Sequence, residues 1–180
     1  MHVNSDPGLY VLAGVVCLSS SCESIRGTLR TLLDAGQPRL HWSSESPERK
    51  EKIVGTLAQI DMTSVVVIGA PLPKKKQERA RAVCMESLAV LLADMGVSRI
   101  FLEERNPSLN DRDKRLIEAI RGKKLIPAEL RIDVQRPSEE PMLWMPDIVA
   151  GAVGADRVRR EPRYLDAIRS MVEEHDIPLR

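Results

Sequence analysis

Residues 64–70 read Ser-Val-Val-Val-Ile-Gly-Ala, with Pro71 and Pro73 just beyond. Four consecutive β-branched residues followed by prolines predict a strand that is apolar on both faces and ends at residue 70. Such a strand lies in the middle of a sheet with another layer on each side. Residues 9–17, LYVLAGVVC, form a second run of the same kind. Residues 98–103 (SRIFLE) read as a third strand, and residues 129–135 (ELRIDVQ) alternate like an edge strand.

Helical periods fill the intervals. Ser20 and Glu23 have capping-box spacing, and Ile25, Leu29, Leu32 and Leu33 continue a helix towards Gly36. Residues 37–45 (QPRLHWSSE) connect, with a short strand over 39–42. Ser46, Pro47 and Glu48 have the order cap, first-turn proline, first-turn acid, and open a helix to about residue 60. A long helix covers 74–95 and stops at Gly96. Asn110 caps a helix over 111–121 that ends at Gly122. A small-residue helix occupies 143–158. Pro162 opens a last helix over 162–175 that carries Tyr164, Leu165, Ile168 and Met171. Strands alternating with helices predict an α/β fold with some parallel pairing. Residues 1–158 read as one domain and 159–180 as a C-terminal helical appendage.

The chain has 180 residues, 43% hydrophobic and 29% charged, with 27 Lys plus Arg against 26 Asp plus Glu. That length suits one domain able to bury roughly 70% of its unfolded surface. A net charge of +1 excludes a generic polyanion-binding tail and leaves local basic patches open. Aromatics are 3% with a single Phe, so the core is aliphatic. Cys17, Cys22 and Cys84 are an odd set without metal-ligand spacing, which predicts reduced thiols and a cytoplasmic location. No apolar run reaches the roughly 18 residues of a membrane span, so no membrane partner is expected. The run over 9–18 has no basic residue before it and reads as a strand rather than a signal peptide.

The phosphate loop GxxxxGK[ST], the dinucleotide fingerprint GxGxxG and the nucleophile elbow GxSxG are absent. Four features are candidates for a site. Glu103 leaves the third strand at its carboxyl end, where α/β sheets place their ligands; it also suits a solvated strand end. Asp113 lies ten residues further on, and suits either a metal carboxylate or a first-turn helix acid. Asp147 is the lone acid at the start of Trp144-Met-Pro-Asp-Ile-Val-Ala-Gly-Ala-Val-Gly-Ala155 and shares a face with Gly151 one turn on. Small residues on that face let the helix approach the sheet, which carries Asp147 towards the core edge. His41, in Leu40-His41-Trp42, suits a proton-transfer group or a packed loop anchor. Basic clusters at Lys74, Lys75, Lys76, Arg79 and Arg81, at Arg121, Lys123 and Lys124, and at Arg157, Arg159, Arg160 and Arg163 read as solvated faces or as a phosphate-contacting rim.

Several segments together carry a resemblance. LYVLAGVV, LHWS with SPERKEKIV, VVVIGAP, FLEER with Asp113, and PMLWMPDIVAGAVGA are similar to the domain-of-unknown-function family numbered 3800, over roughly residues 8–156. The most specific piece is Pro146-Asp147 followed by the small-residue helix. The resemblance implies a ribonuclease-H-like α/β fold, with a mixed sheet flanked by helices. It implies a metal-dependent nuclease or phosphodiester hydrolase acting on nucleic acid, in which carboxylates hold two Mg²⁺ or Mn²⁺ ions about 4 Å apart. By position Glu103 and Asp147 match metal carboxylates, Asp113 is a weaker third, and His41 is auxiliary. Family members open with a strand ending in Asp-Glu-Ser. This chain has no such strand before Leu9, and residues 1–8 offer only Asp6. Either the start is truncated or that acid is lost, and its loss makes a non-catalytic relative, binding nucleic acid or protein, the alternative. A third reading is a structural partner protein that dimerises through the 162–175 helix.

Overall fold

The computed structural model of the chain describes residues 8–72 and 75–179. Asp6, His2 and Lys74 lie outside them. The structure is mixed α/β, with strands in two sheets and helices on both faces of the larger one. That sheet has the order β1 (Tyr10–Val16), β2 (Thr63–Ala70), β5 (Val172–Pro178). β2 pairs antiparallel with β1, Leu12 opposite Val67, and parallel with β5, Val67 opposite His175. The smaller sheet pairs β3 (Arg99–Glu103) with β4 (Arg131–Gln135) in parallel.

Strand alternation sorts the apolar residues of β1 and β2 between two cores. Val11, Val66 and Ile68 face a core built with α1 (Cys22–Arg30), α2 (Pro47–Leu57) and α5 (Trp144–Arg159). Tyr10, Leu12, Val65 and Val67 face Ala80, Cys84, Met85, Leu88 and Leu92 of α3 (Gln77–Asp94). The doubly apolar run at 64–70 is therefore a central strand covered on both faces, as its sequence predicts. α4 (Pro107–Gly122) covers the small sheet through Ile120, with Ile126 and Leu130 of the following loop. No helix among the described residues is long and apolar enough to cross a membrane.

Four expectations are corrected. The predicted helix over 162–175 is a four-residue α6 (Arg163–Asp166) and a 3₁₀ turn, Arg169–Met171, after which the chain becomes β5. The edge of β2 explains this. An unpaired buried strand edge would leave N–H and C=O groups without partners, and β5 satisfies them. The continuous helix on which a dimer contact was placed is not formed, and residues 172–178 belong to the central sheet. The predicted cap Asn110 is not the cap of α4. Asn106 is, accepting from Leu109 N–H at 3.0 Å with Pro107 in the first turn. Asn110 instead bridges the backbone N–H and C=O of Arg105, at 2.8 and 3.0 Å. Finally, Ser20 lies in a 3₁₀ turn, and α1 begins at Cys22 without a side-chain cap and ends at Arg30, short of Gly36. Residues 39–42 form no strand; a 3₁₀ turn, Trp42–Ser44, takes their place.

Close packing of α5 follows from its small residues. A Cβ at Gly151 would fall inside the indole of Trp42, whereas one at Gly55 in α2 would meet open space. Gly151→Ala is expected to cost about 1–3 kcal/mol, since a rigid indole and a helix backbone must part. Gly55→Ala is expected to stabilise by about 0.5–1 kcal/mol through helix propensity. Thermal denaturation followed by circular dichroism checks both. Similar shifts in the two variants would show that Trp42 is not seated on Gly151.

Candidate functional site

α5 carries Asp147 in its first turn, and the carboxylate is buried at 5% exposure. Its Oδ2 accepts the backbone N–H of Trp42 at 2.8 Å and lies 3.0 Å from Nδ1 of His41. A carboxylate only accepts, so His41 Nδ1–H is the donor. This fixes the imidazole tautomer and puts the basic lone pair on Nε2. The His41 side chain is 32% exposed, so the pair spans the boundary between core and solvent.

The 37–45 connection builds the rest of the site. Leu40 turns into the core beside Trp42. Arg39 and His41, on either side of it, turn outward. Arg39 Nη1 donates to Glu103 Oε1 at 3.0 Å at the end of β3. Arg39 and His41 are two residues apart, so their Cα atoms are within about 7 Å. One short stretch of chain thus links the acid ending β3 to the acid opening α5.

Two ion pairs hold the frame. Arg26 of α1 clasps Glu140 with Nε and Nη2, at 3.0 and 2.7 Å. Glu140 also accepts from Met142 N–H at 3.0 Å, in the turn that leads into α5. Burial pushes the Glu140 carboxyl up, but Arg26 and that N–H more than offset it and hold it below the ordinary range. On the other side of the sheet Arg81 of α3 grips Asp113, Nε to Oδ1 at 3.0 Å and Nη2 to Oδ2 at 2.6 Å. Both residues are buried, and Arg105 Nη1 stands 3.6 Å from Asp113.

The structure therefore brings His41 and Asp147 into contact and ties Glu103 to the same connection through Arg39. It places Asp113 in the Arg81 pair. Both oxygens of Asp113 face a guanidinium, and no group of three His, Cys, Asp or Glu among the described residues is placed to hold a metal ion. The three acids that the family resemblance assigns to a two-ion centre each meet a different basic partner: Asp147 meets His41, Glu103 meets Arg39 and Asp113 meets Arg81. Several members of the basic clusters are paired. Arg157 contacts Glu174 and Asp176, Arg163 contacts Glu51, and Lys123 contacts Glu86. Arg81, which reads as part of a solvated run, is a buried partner. Arg39 and Glu140 are the residues that sequence reasoning missed. Arg39 carried one signal, its i, i+2 spacing from His41. Glu140, in a polar loop, carried none.

No family model matches the chain, and searches of curated proteins and of solved structures find no match to it either.

Arg81→Met should destabilise the protein by about 3–5 kcal/mol by leaving Asp113 charged and buried. The double variant with Asp113→Leu should recover much of that loss; urea denaturation measures both. A double variant no more stable than Arg81→Met would mean that the pair does not act as a unit. Titration calorimetry with Mn²⁺ is expected to give equal, negligible heats for the unaltered protein and Asp147→Asn. A heat that Asp147→Asn loses would place an ion at this carboxylate.

Proposed function

We propose that the chain is a ribonuclease-H-like protein that hydrolyses phosphodiester bonds of nucleic acid, with His41 as the proton-transfer group and Asp147 as the acid that positions it. The observation that carries this reading is the contact between His41 Nδ1 and the buried Asp147 carboxylate, which is itself held by Trp42 N–H. A neutral His41 takes a proton through Nε2 from the water whose oxygen bonds to phosphorus; the bond from phosphorus to the leaving oxygen breaks, and the imidazolium returns the proton to that oxygen. The imidazolium that forms is stabilised by the Asp147 carboxylate 3.0 Å away. Arg39 supplies a guanidinium beside it that suits a phosphate oxygen, and Glu103 orients that guanidinium. The central sheet supports the fold assignment by pairing its middle strand antiparallel on one side and parallel on the other. The family resemblance supplies the substrate class. Mg²⁺ or Mn²⁺ is the ion that it brings, and no step of this proposal passes through one. A cytoplasmic location belongs to the same reading and is supported by three free thiols.

The second reading is a binding module without catalysis. The Arg81–Asp113 and Arg39–Glu103 pairs favour it, because they give two of the three candidate acids a structural partner. One experiment separates the two. Labelled single- and double-stranded DNA and RNA are incubated with the protein, with and without added Mg²⁺ or Mn²⁺. Hydrolysis is expected, and His41→Ala and Asp147→Asn should each slow it by about 10²-fold or more. Salt-dependent binding with no cleavage under any condition would sink the hydrolase and leave the binding module.

A further inference from the structure

We infer that the junction between the first turn of α2 and the α5–α6 link is a binding site for a phosphate-class anion. A cavity of about 320 Å³ opens there, and its lining includes Trp42, Lys50, Arg159, Glu161, Arg163 and Tyr164. Three of these side chains are cations and one is an anion. Their pairing is uneven. Arg163 is satisfied, at 2.9 Å from Glu51 and stacked 4.7 Å over the Tyr164 ring. The Arg159 contact with Glu161 is long, at 3.9 Å. Lys50 makes no ion pair with a carboxylate among the described residues; its ammonium stands 5.0 Å over the Trp42 ring. The indole Nε1 of Trp42 is buried and has no hydrogen-bond partner among the described residues. The cavity thus combines Lys50, which has no carboxylate partner among the described residues, with Arg159, whose one carboxylate contact is long, against the Trp42 ring.

The energetics point the same way. Desolvation lowers the Lys50 pKa and the neighbouring charge of Arg159 lowers it further, and the carboxylates of Glu161 and Glu45 offset this only in part. Two cations held together in a partly desolvated recess repel each other. An anion between them reverses the sign of that interaction and forms charge-assisted hydrogen bonds to both. The volume accepts a phosphate with part of whatever it is esterified to. The shared chemistry is a phosphate oxygen set, from a nucleic-acid backbone or from a free phosphate or nucleotide. Trp42 connects this recess to the His41–Asp147 pair, since its backbone N–H holds Asp147. The inference rests on the cavity and its charges and not on the hydrolytic reading, so each can fail alone.

The test uses Trp42 as its own reporter. The chain has two tryptophans, so Trp144→Phe leaves Trp42 as the single emitter. Inorganic phosphate and a short single-stranded oligonucleotide are titrated against its fluorescence, with chloride at matched ionic strength as control. Calorimetry on the protein with both tryptophans repeats the measurement without depending on that variant. Saturable quenching by phosphate and not by chloride is expected, and Lys50→Met and Arg159→Gln should each weaken binding about tenfold. An oligonucleotide that binds far more tightly than phosphate and loses that advantage in Lys50→Met identifies a nucleic-acid backbone as the source. Equal affinities identify a free phosphate. Phosphate behaving like chloride, or both variants binding as the unaltered protein does, would overturn the site.

Discussion

Gly151 has no side chain, and the indole of Trp42 occupies the space where one would be. This close approach docks the 37–45 connection onto α5. Trp42 is the hinge of the arrangement. Its ring packs edge-on to Tyr164 at 5.1 Å and lies on Gly151, while its backbone N–H, one helical turn back, meets Asp147. With Trp42 in place, Leu40 is buried beside it, and His41 and Arg39 emerge towards solvent at Asp147 and Glu103. A side chain at residue 151 would lift the connection away from the helix, and every polar contact of the site would lengthen together.

Buried charge is the second constraint. Six polar or charged residues of the described chain are buried, and four of them are carboxylates: Glu45, Asp113, Glu140 and Asp147. Three of the four face a guanidinium, since Glu45 pairs with Arg49 at 2.7 Å. A carboxylate removed from water is tolerated when hydrogen bonds from a cation replace its hydration. Asp147 accepts from a backbone N–H and lies against an imidazole. An imidazole can change its protonation state near neutral pH and a guanidinium cannot.

Legibility followed the range of the forces involved. β1 and β2 were readable because each is apolar on both faces over seven or eight residues. The first turn of α2 was readable because Ser46 caps Arg49 N–H within three residues. The start of α4 was misplaced because two asparagines compete four residues apart, and the proline after Asn106 decides between them. The C-terminal segment was misread because Tyr164, Leu165, Ile168 and Met171 do have helical spacing. The residues that follow, Val172 to Pro178, take their conformation from β2, a strand more than one hundred residues earlier. No local period encodes that demand.

The sequence by itself determined the α/β class, the central strand covered on both faces, and the helix whose small residues draw Asp147 inward. These follow from side-chain period and size, which act over one or two turns of chain. Only the tertiary structure decided how the candidate acids are held. It gave His41 to Asp147 and Arg39 to Glu103, and it placed Asp113 against Arg81, 32 positions away. The physical reason is that an ion pair needs two groups to meet within about 4 Å, and packing brings them together across separations that sequence spacing does not record.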